Sequence, residues 1–137
     1  MAYVMPYIRK QPKKKRVYYK RYNYDKEHQM FYRMNRENRE LYIRENPLDE
    51  LDLLEGIITP AEHLHHVYQL SNADSYETKV WLTVNKDNFI SLSKKNHIRV
   101  HNNYKSLTDK QKEYLSNKYK KVEHDLIAWK YNNSVKD

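Results

Sequence analysis

The chain has 137 residues, with 26 Lys and Arg against 18 Asp and Glu, and it has no cysteine. Disulfides, cysteine nucleophiles and thiolate zinc centres are therefore excluded. No apolar run reaches the roughly 20 residues of a bilayer span, and no signal-peptide pattern opens the sequence. Leu, Ile, Val and Phe together number only 29, so one compact core with appendages is expected.

The net charge of +8 is laid out in three blocks. Residues 1–44 carry 13 basic and 4 acidic side chains, residues 45–78 carry 8 acidic and none basic, and residues 79–137 carry 13 basic and 6 acidic. Two basic lobes around an acidic centre suit a protein that neutralises phosphates at its flanks and holds a cation or catalytic groups between them. The same pattern also fits a solvated surface, because charge supplies affinity without chemistry.

Residues 1–24 read as a basic, Tyr-rich arm. Pro6, Pro12 and the run Lys13, Lys14, Lys15, Arg16 oppose a packed element, while Tyr18, Tyr19, Tyr22 and Tyr24 interleave with Lys20 and Arg21. Such a segment can place cations on phosphates and rings on bases, or serve only as a solubilising tail. Asp25 to Glu45 has helical apolar spacing through Met30, Phe31, Met34, Leu41 and Tyr42, and Pro47 ends it. Leu48, Leu51, Leu53, Leu54, Ile57 and Ile58 form the densest apolar patch, interrupted by Gly56, the only glycine, which is expected at positive φ in a helix C-terminal cap. Glu62 to Leu70 reads as a strand, Ser71 to Thr78 as a polar loop, Phe89 to Leu92 as a second strand and Lys94 to Lys105 as a short helix. Thr108 with Gln111 is a capping box opening a last, amphipathic helix whose seam is Leu115, Tyr119, Val122, Leu126 and Trp129. That seam can cover the chain's own core, or it can form a homodimer or meet a partner. The reading divides the chain into an arm (1–24), a central domain with its leading helix (25–107) and a C-terminal helix and tail (108–137).

Five of the seven histidines fall between positions 63 and 101: His63, His65, His66, His97 and His101. A single histidine on an apolar strand is more often structural than a ligand. An adjacent pair followed by a second pair four apart on a helix is a better match for imidazoles sharing one cation.

On these residues the chain resembles the HNH endonucleases, especially the small phage-encoded kind. The resemblance is carried by GIITPAEHLHHVYQL from Gly56 and DNFISLSKKNHIRVH ending at His101. It implies an α+β fold with a ββα-metal core, flanking helices, the basic arm and the amphipathic C-terminal helix. It also implies metal-dependent hydrolysis of DNA phosphodiesters to 5′-phosphate and 3′-hydroxyl ends. Carried over position by position, His65 and His97 bind one divalent ion, Mg²⁺ or Mn²⁺, with His101 as a further ligand. His66 is the general base, and Asn88 holds its ring by a hydrogen bond. Neutral imidazole suits the base role because it accepts a proton near physiological pH. His63 shares the parity of His65 and is expected to support the site structurally. His65 and His66 should point to opposite faces of a regular strand, so a bulge, a twist or a strand end is needed near His66.

Lys13, Lys14, Lys15, Arg16, Lys20, Arg21, Lys94, Lys95 and Arg99 are the expected contacts to double-stranded DNA. Where many family members carry cysteines for structural zinc, this chain has Asp49, Asp52, Ser93 and Asn96, so structural zinc is expected to be absent and burial of Leu48, Leu51, Leu53, Leu54, Ile57, Ile58, Leu92 and Ile98 to compensate. A cytoplasmic setting, in a bacterium or a phage-infected bacterial cell, and an association with phage packaging accord with the resemblance. The alternatives are an HNH-derived DNA-binding or protein-interaction module that no longer cleaves, and a structural protein whose arm touches nucleic acid.

Overall fold

The computed structural model describes residues 22–134, so Lys13, Lys14, Lys15, Arg16, Lys20 and Arg21 lie outside the described residues. Within that span the chain is α+β, with five α-helices and one two-stranded antiparallel sheet. Contacts divide the chain into two units, 1–33 and 34–137, with the boundary inside the first helix. In the first unit, His28 and Tyr32 meet edge-on at 5.0 Å.

Helix α1 (Tyr22–Glu45) begins three residues before the expected start, and Pro47 prevents it from continuing. Helix α2 (Glu50–Leu54) is capped by Asp49, whose Oδ1 accepts from the Asp52 N–H at 2.7 Å. It closes in a Schellman turn: Gly56, at φ 77°, donates to Leu53 O and Ile57 donates to Asp52 O. Strand β1 (His63–His66) pairs antiparallel with β2 (Phe89–Leu92), with His65 opposite Ile90 and His66 opposite Phe89.

Strand β1 is shorter than the expected Glu62–Leu70. Beyond His66 the partner is no longer extended: residues Lys86–Asn88 form a 3₁₀ turn, and the Val67 and Tyr68 N–H groups bond to the main chain and side chain of Asn88 instead. The loop expected to run to Thr78 stops at Ser75, which caps helix α3 (Tyr76–Val84) by accepting from the Thr78 N–H at 3.1 Å. Helix α4 (Lys94–Asn102) ends before the expected Lys105, and a 3₁₀ turn at Tyr104–Ser106 follows. Helix α5 (Asp109–Ser134) opens on the reciprocal capping box, with Gln111 N–H donating to Thr108 Oγ1 and Thr108 N–H to Gln111 Oε1.

The sheet is buried on both faces. Ile90 and Leu92 pack with Leu51, Leu107 and Leu115, while Leu64 and Phe89 pack with Tyr42 of α1. The α5 seam serves this chain's own core: Leu115, Val122 and Leu126 are buried, and the rings of Tyr119 and Trp129 stack on Tyr68 and Trp81. The apolar patch around Gly56 differs from expectation. Leu51 and Leu92 are fully buried, but Leu53, Ile57, Ile58 and Ile98 are exposed, because α2 is too short to present more than one face and the Gly56 turn leads the chain away from the core.

Polar groups instead join α2 to α4. Asp49 Oδ2 accepts from the Ser93 N–H at 2.7 Å and from Asn96 Nδ2 at 2.9 Å; Asn96 Nδ2 also donates to Asp52 Oδ1, and Thr59 donates to Asp52 Oδ2. Asp49, Ser93 and Asn96 are buried, and buried polar groups are tolerated when bonded in this way. With no cysteine in the chain there is no zinc–cysteine site. Among the described residues no helix is long and apolar enough to cross a membrane.

Candidate metal centre

Alternation along β1 puts His63 and His65 on one face of the sheet, the face against which α4 is laid by the β2–α4 connection. One turn apart on α4, His97 and His101 share a side of that helix. The result is a triad: one nitrogen each from His65, His97 and His101 lies within 4.8 Å of the others. His97 Nε2 and His101 Nε2 are 3.2 Å apart, close to the separation of two tetrahedral ligands with bonds of roughly 2.0–2.1 Å. The His65 ring meets His97 at 5.4 Å and His101 at 5.0 Å between centroids, both edge-on.

His63 stands behind the triad. Its Nδ1 is 2.9 Å from His97 Nδ1. With the His97 proton on Nδ1, this bond fixes the tautomer and leaves the Nε2 lone pair directed at His101, which is how outer partners orient metal-binding imidazoles.

Electrostatics favour neutral rings. Burial, reinforced by the neighbouring His101, His97 and His66, lowers the His65 pKa to about 3. Burial and His97 bring His66 to about 4, and burial with His101 and His63 brings His97 to about 4. An imidazole that stays unprotonated keeps its lone pair available for a cation or a proton.

His66 ends β1, and that position reconciles it with His65. The ring packs edge-on against Phe89 at 5.5 Å, yet it borders the same cleft of about 260 Å³ as His65, His97 and His101. Its Nε2 is buried and has no hydrogen-bond partner among the described residues.

Asn88 does not hold the His66 ring as expected. Its Oδ1 accepts from the Tyr68 N–H at 2.7 Å, and its Nδ2 donates to Tyr68 O at 3.1 Å and Leu82 O at 3.2 Å. With its own carbonyl accepting from Val67 N–H at 3.0 Å, Asn88 clamps the two residues that follow His66. It therefore positions the chain at His66 through the backbone.

Arg99 also departs from its expected part. Its guanidinium donates to Asn96 Oδ1 and to both the hydroxyl and carbonyl of Ser106, so it fastens α4 to the following turn rather than reaching outward. Lys94 and Lys95 are exposed on the first turn of α4. Asp49 and Asp52 have every carboxylate oxygen engaged in the hydrogen bonds described above, which leaves them ill-suited to a calcium or magnesium ion.

Sequence reasoning missed Gln69, which borders the cleft beside the triad. No local pattern marks it, because its place depends on the strand ending at His66. Comparison with protein-family models, curated proteins and solved structures gave no match for this chain.

Proposed function

We propose that the chain is a metal-dependent DNA endonuclease of the HNH type, hydrolysing phosphodiester bonds around one divalent ion held by His65, His97 and His101. One observation carries this reading: imidazoles from β1 and from the helix after β2 converge on a single point, with His66 on the rim of the same cleft. The antiparallel pair β1–β2 and the helix α4 that follows it supply the parts a ββα-metal core needs, with helix α3 inserted between the two strands.

In this reading His66 takes the proton of the attacking water after its ring turns to face the cleft, because Nε2 is buried in the resting geometry. Its ring is neutral at physiological pH, and the negative charge of an incoming phosphodiester would raise its basicity toward the ordinary range. Asn88 keeps the segment behind His66 in place, and His63 orients His97. His65, His97 and His101 would hold the divalent ion, which when bound would supply stabilisation of the negative charge that grows during hydrolysis.

Three imidazoles form a nitrogen donor set. They suit Zn²⁺, Ni²⁺ or Cu²⁺ better than Mg²⁺ or Mn²⁺, which favour oxygen ligands. Tightest binding is therefore expected from the first group, a revision of the Mg²⁺ or Mn²⁺ expected from sequence.

The test is nicking of supercoiled plasmid with Mg²⁺, Mn²⁺, Ni²⁺ or Zn²⁺, comparing the wild type with His66→Ala and His97→Ala. Loss of a catalytic base should slow cleavage by about 10²–10⁴-fold while DNA binding persists. Undiminished cleavage by His66→Ala would remove the base assignment. Binding without cleavage under every ion would favour the second reading, an HNH-derived module that no longer cuts. A specific feature speaks for that second reading: the Asn88 amide bonds to backbone rather than to the His66 ring.

A further inference from the structure

A second, larger cleft of about 480 Å³ borders His65 and His101 of the triad. It shares His65, Gln69 and His101 with the smaller cleft that contains His66. Whatever occupies it therefore lies against two of the three candidate ligands. We propose that this cleft binds a nucleobase of the substrate strand, the one adjoining the phosphate at the triad. The inference rests on the endonuclease reading only for the identity of that phosphate.

The lining is chemically divided. Val67, Val100 and Leu115 give it apolar walls, and Tyr104 and Tyr119 add aromatic ones. Tyr119 is held in place by stacking on Tyr68 at 5.3 Å with an interplanar angle of 8°. Ser116, Lys120 and Glu123 bring hydrogen-bonding groups to the same space, the carboxylate as an acceptor for a base's exocyclic amine or ring N–H. A hydrated ion or a phosphate gains nothing from valine and leucine walls. A base matches both parts, with apolar faces for the walls and polar edges for the serine, lysine and glutamine. The volume lies within the roughly 300–1,000 Å³ of small-molecule sites.

Charge distinguishes a nucleic-acid strand from a peptide. Between Lys94 and Glu123, the stretch that supplies most of the cleft lining, nine residues are basic and three acidic, one of the three being Glu123 in the lining itself. A polyanion complements that stretch, and its phosphates would bring a base to the cleft beside the cation. A base inside a duplex offers its edges to the grooves and keeps its faces stacked, so the occupant must be unstacked or single-stranded. The preferred substrate is then single-stranded or locally opened DNA.

The experiment measures binding of the full chain, by fluorescence anisotropy in EDTA, to a short single-stranded thymidine oligonucleotide and to an abasic oligonucleotide of equal length. The wild type should prefer the thymidine strand by about tenfold or more, the scale of one stacked base. Ser116→Leu, which fills the cleft, and Tyr104→Ala, which removes a wall, should each bring the two strands within about twofold. Tyr104 is 43% exposed, so its replacement spares the core; thermal melts check both variants, and Zn²⁺ calorimetry should show unchanged metal affinity. A wild type indifferent to the bases, or a preference that survives in both folded variants, would overturn the inference. The two readings fail separately. Base-dependent binding through the cleft without cleavage under any ion would sink the endonuclease reading and keep the cleft, whereas cleavage that needs His66 alongside inert cleft variants would do the reverse.

Discussion

His63 and His65 leave β1 on the same face, yet only His65 joins the triad. The difference lies in His97, which meets His63 through Nδ1 and His101 through Nε2. Replacing His63 should leave the three ligands present but free the His97 ring to rotate. His63→Ala is expected to weaken Zn²⁺ binding by about 10–100-fold, the usual cost of losing an outer partner, with little change in stability. Calorimetry beside a thermal melt checks this; an unaltered affinity would show that His97 needs no orienting bond. Asn88 acts differently, since it is fully buried and its amide satisfies Tyr68 N–H, Tyr68 O and Leu82 O. Asn88→Ala strands those groups away from water, at a cost of about 1–3 kcal/mol for each that finds no substitute. Urea denaturation should show a loss of at least about 2 kcal/mol, whereas a purely catalytic asparagine would leave the midpoint unmoved.

At the scale of elements, the connection between α2 and α4 is made by side-chain hydrogen bonds centred on Asp49 and Asn96. Asp49 also caps α2. Asp49→Ala therefore removes a helix cap, about 1 kcal/mol, and leaves the Ser93 N–H unpaired while the Asn96 amide keeps Asp52, so a total loss of about 2–4 kcal/mol is expected by chemical denaturation. Hydrogen bonds engage every carboxylate oxygen at that junction. Ca²⁺ or Mg²⁺ added to metal-free His97→Ala protein should consequently leave the urea midpoint unchanged, and a rise in midpoint would mean that the junction binds a cation. How much of this could be read from the sequence follows from the range of each interaction. Strand β2 was legible because a run of buried residues bounded by polar ones is a local pattern, and the capping box at Thr108 and Gln111 because both partners lie within one turn. Helix α3 was not. Thr78, Val80, Thr83 and Val84 are β-branched and weak helix formers, and the helix is supported by the Ser75 cap and by Trp81 stacking on Trp129, 48 positions along the chain. The histidine pairs were legible through spacing, but the Asn88 bonds were misread because Tyr68, 20 residues away, outcompetes the His66 ring for its amide.

For the whole molecule, burying unprotonated imidazoles couples folding to pH. His65, His66 and His97 have folded pKa values of about 3, 4 and 4, below the roughly 6.5 of an unfolded histidine. Between those limits the unfolded chain binds more protons than the native one, so stability rises with pH across the window and falls as pH is lowered from about 6.5 toward 4. Each such ring contributes a slope of at most about 1.4 kcal/mol per pH unit, most securely for His65, the most deeply buried of the three. Above about pH 7 the effect is flat, because the rings are neutral in both states. Added Zn²⁺ should stabilise the native state further through mass action and lose that effect in acid, since an imidazole must be unprotonated to bind. Thermal melts in EDTA at pH 7.5, 6.5, 5.5 and 4.5 check the first part. The melting temperature should hold between the first two and drop over the last two, and His65→Leu, which keeps an apolar side chain on the strand, should flatten the drop. Equal melting temperatures at pH 7.5 and 5.5 would mean that the rings take up protons in place, and the dry, lone-pair-rich centre on which cation binding depends would not exist.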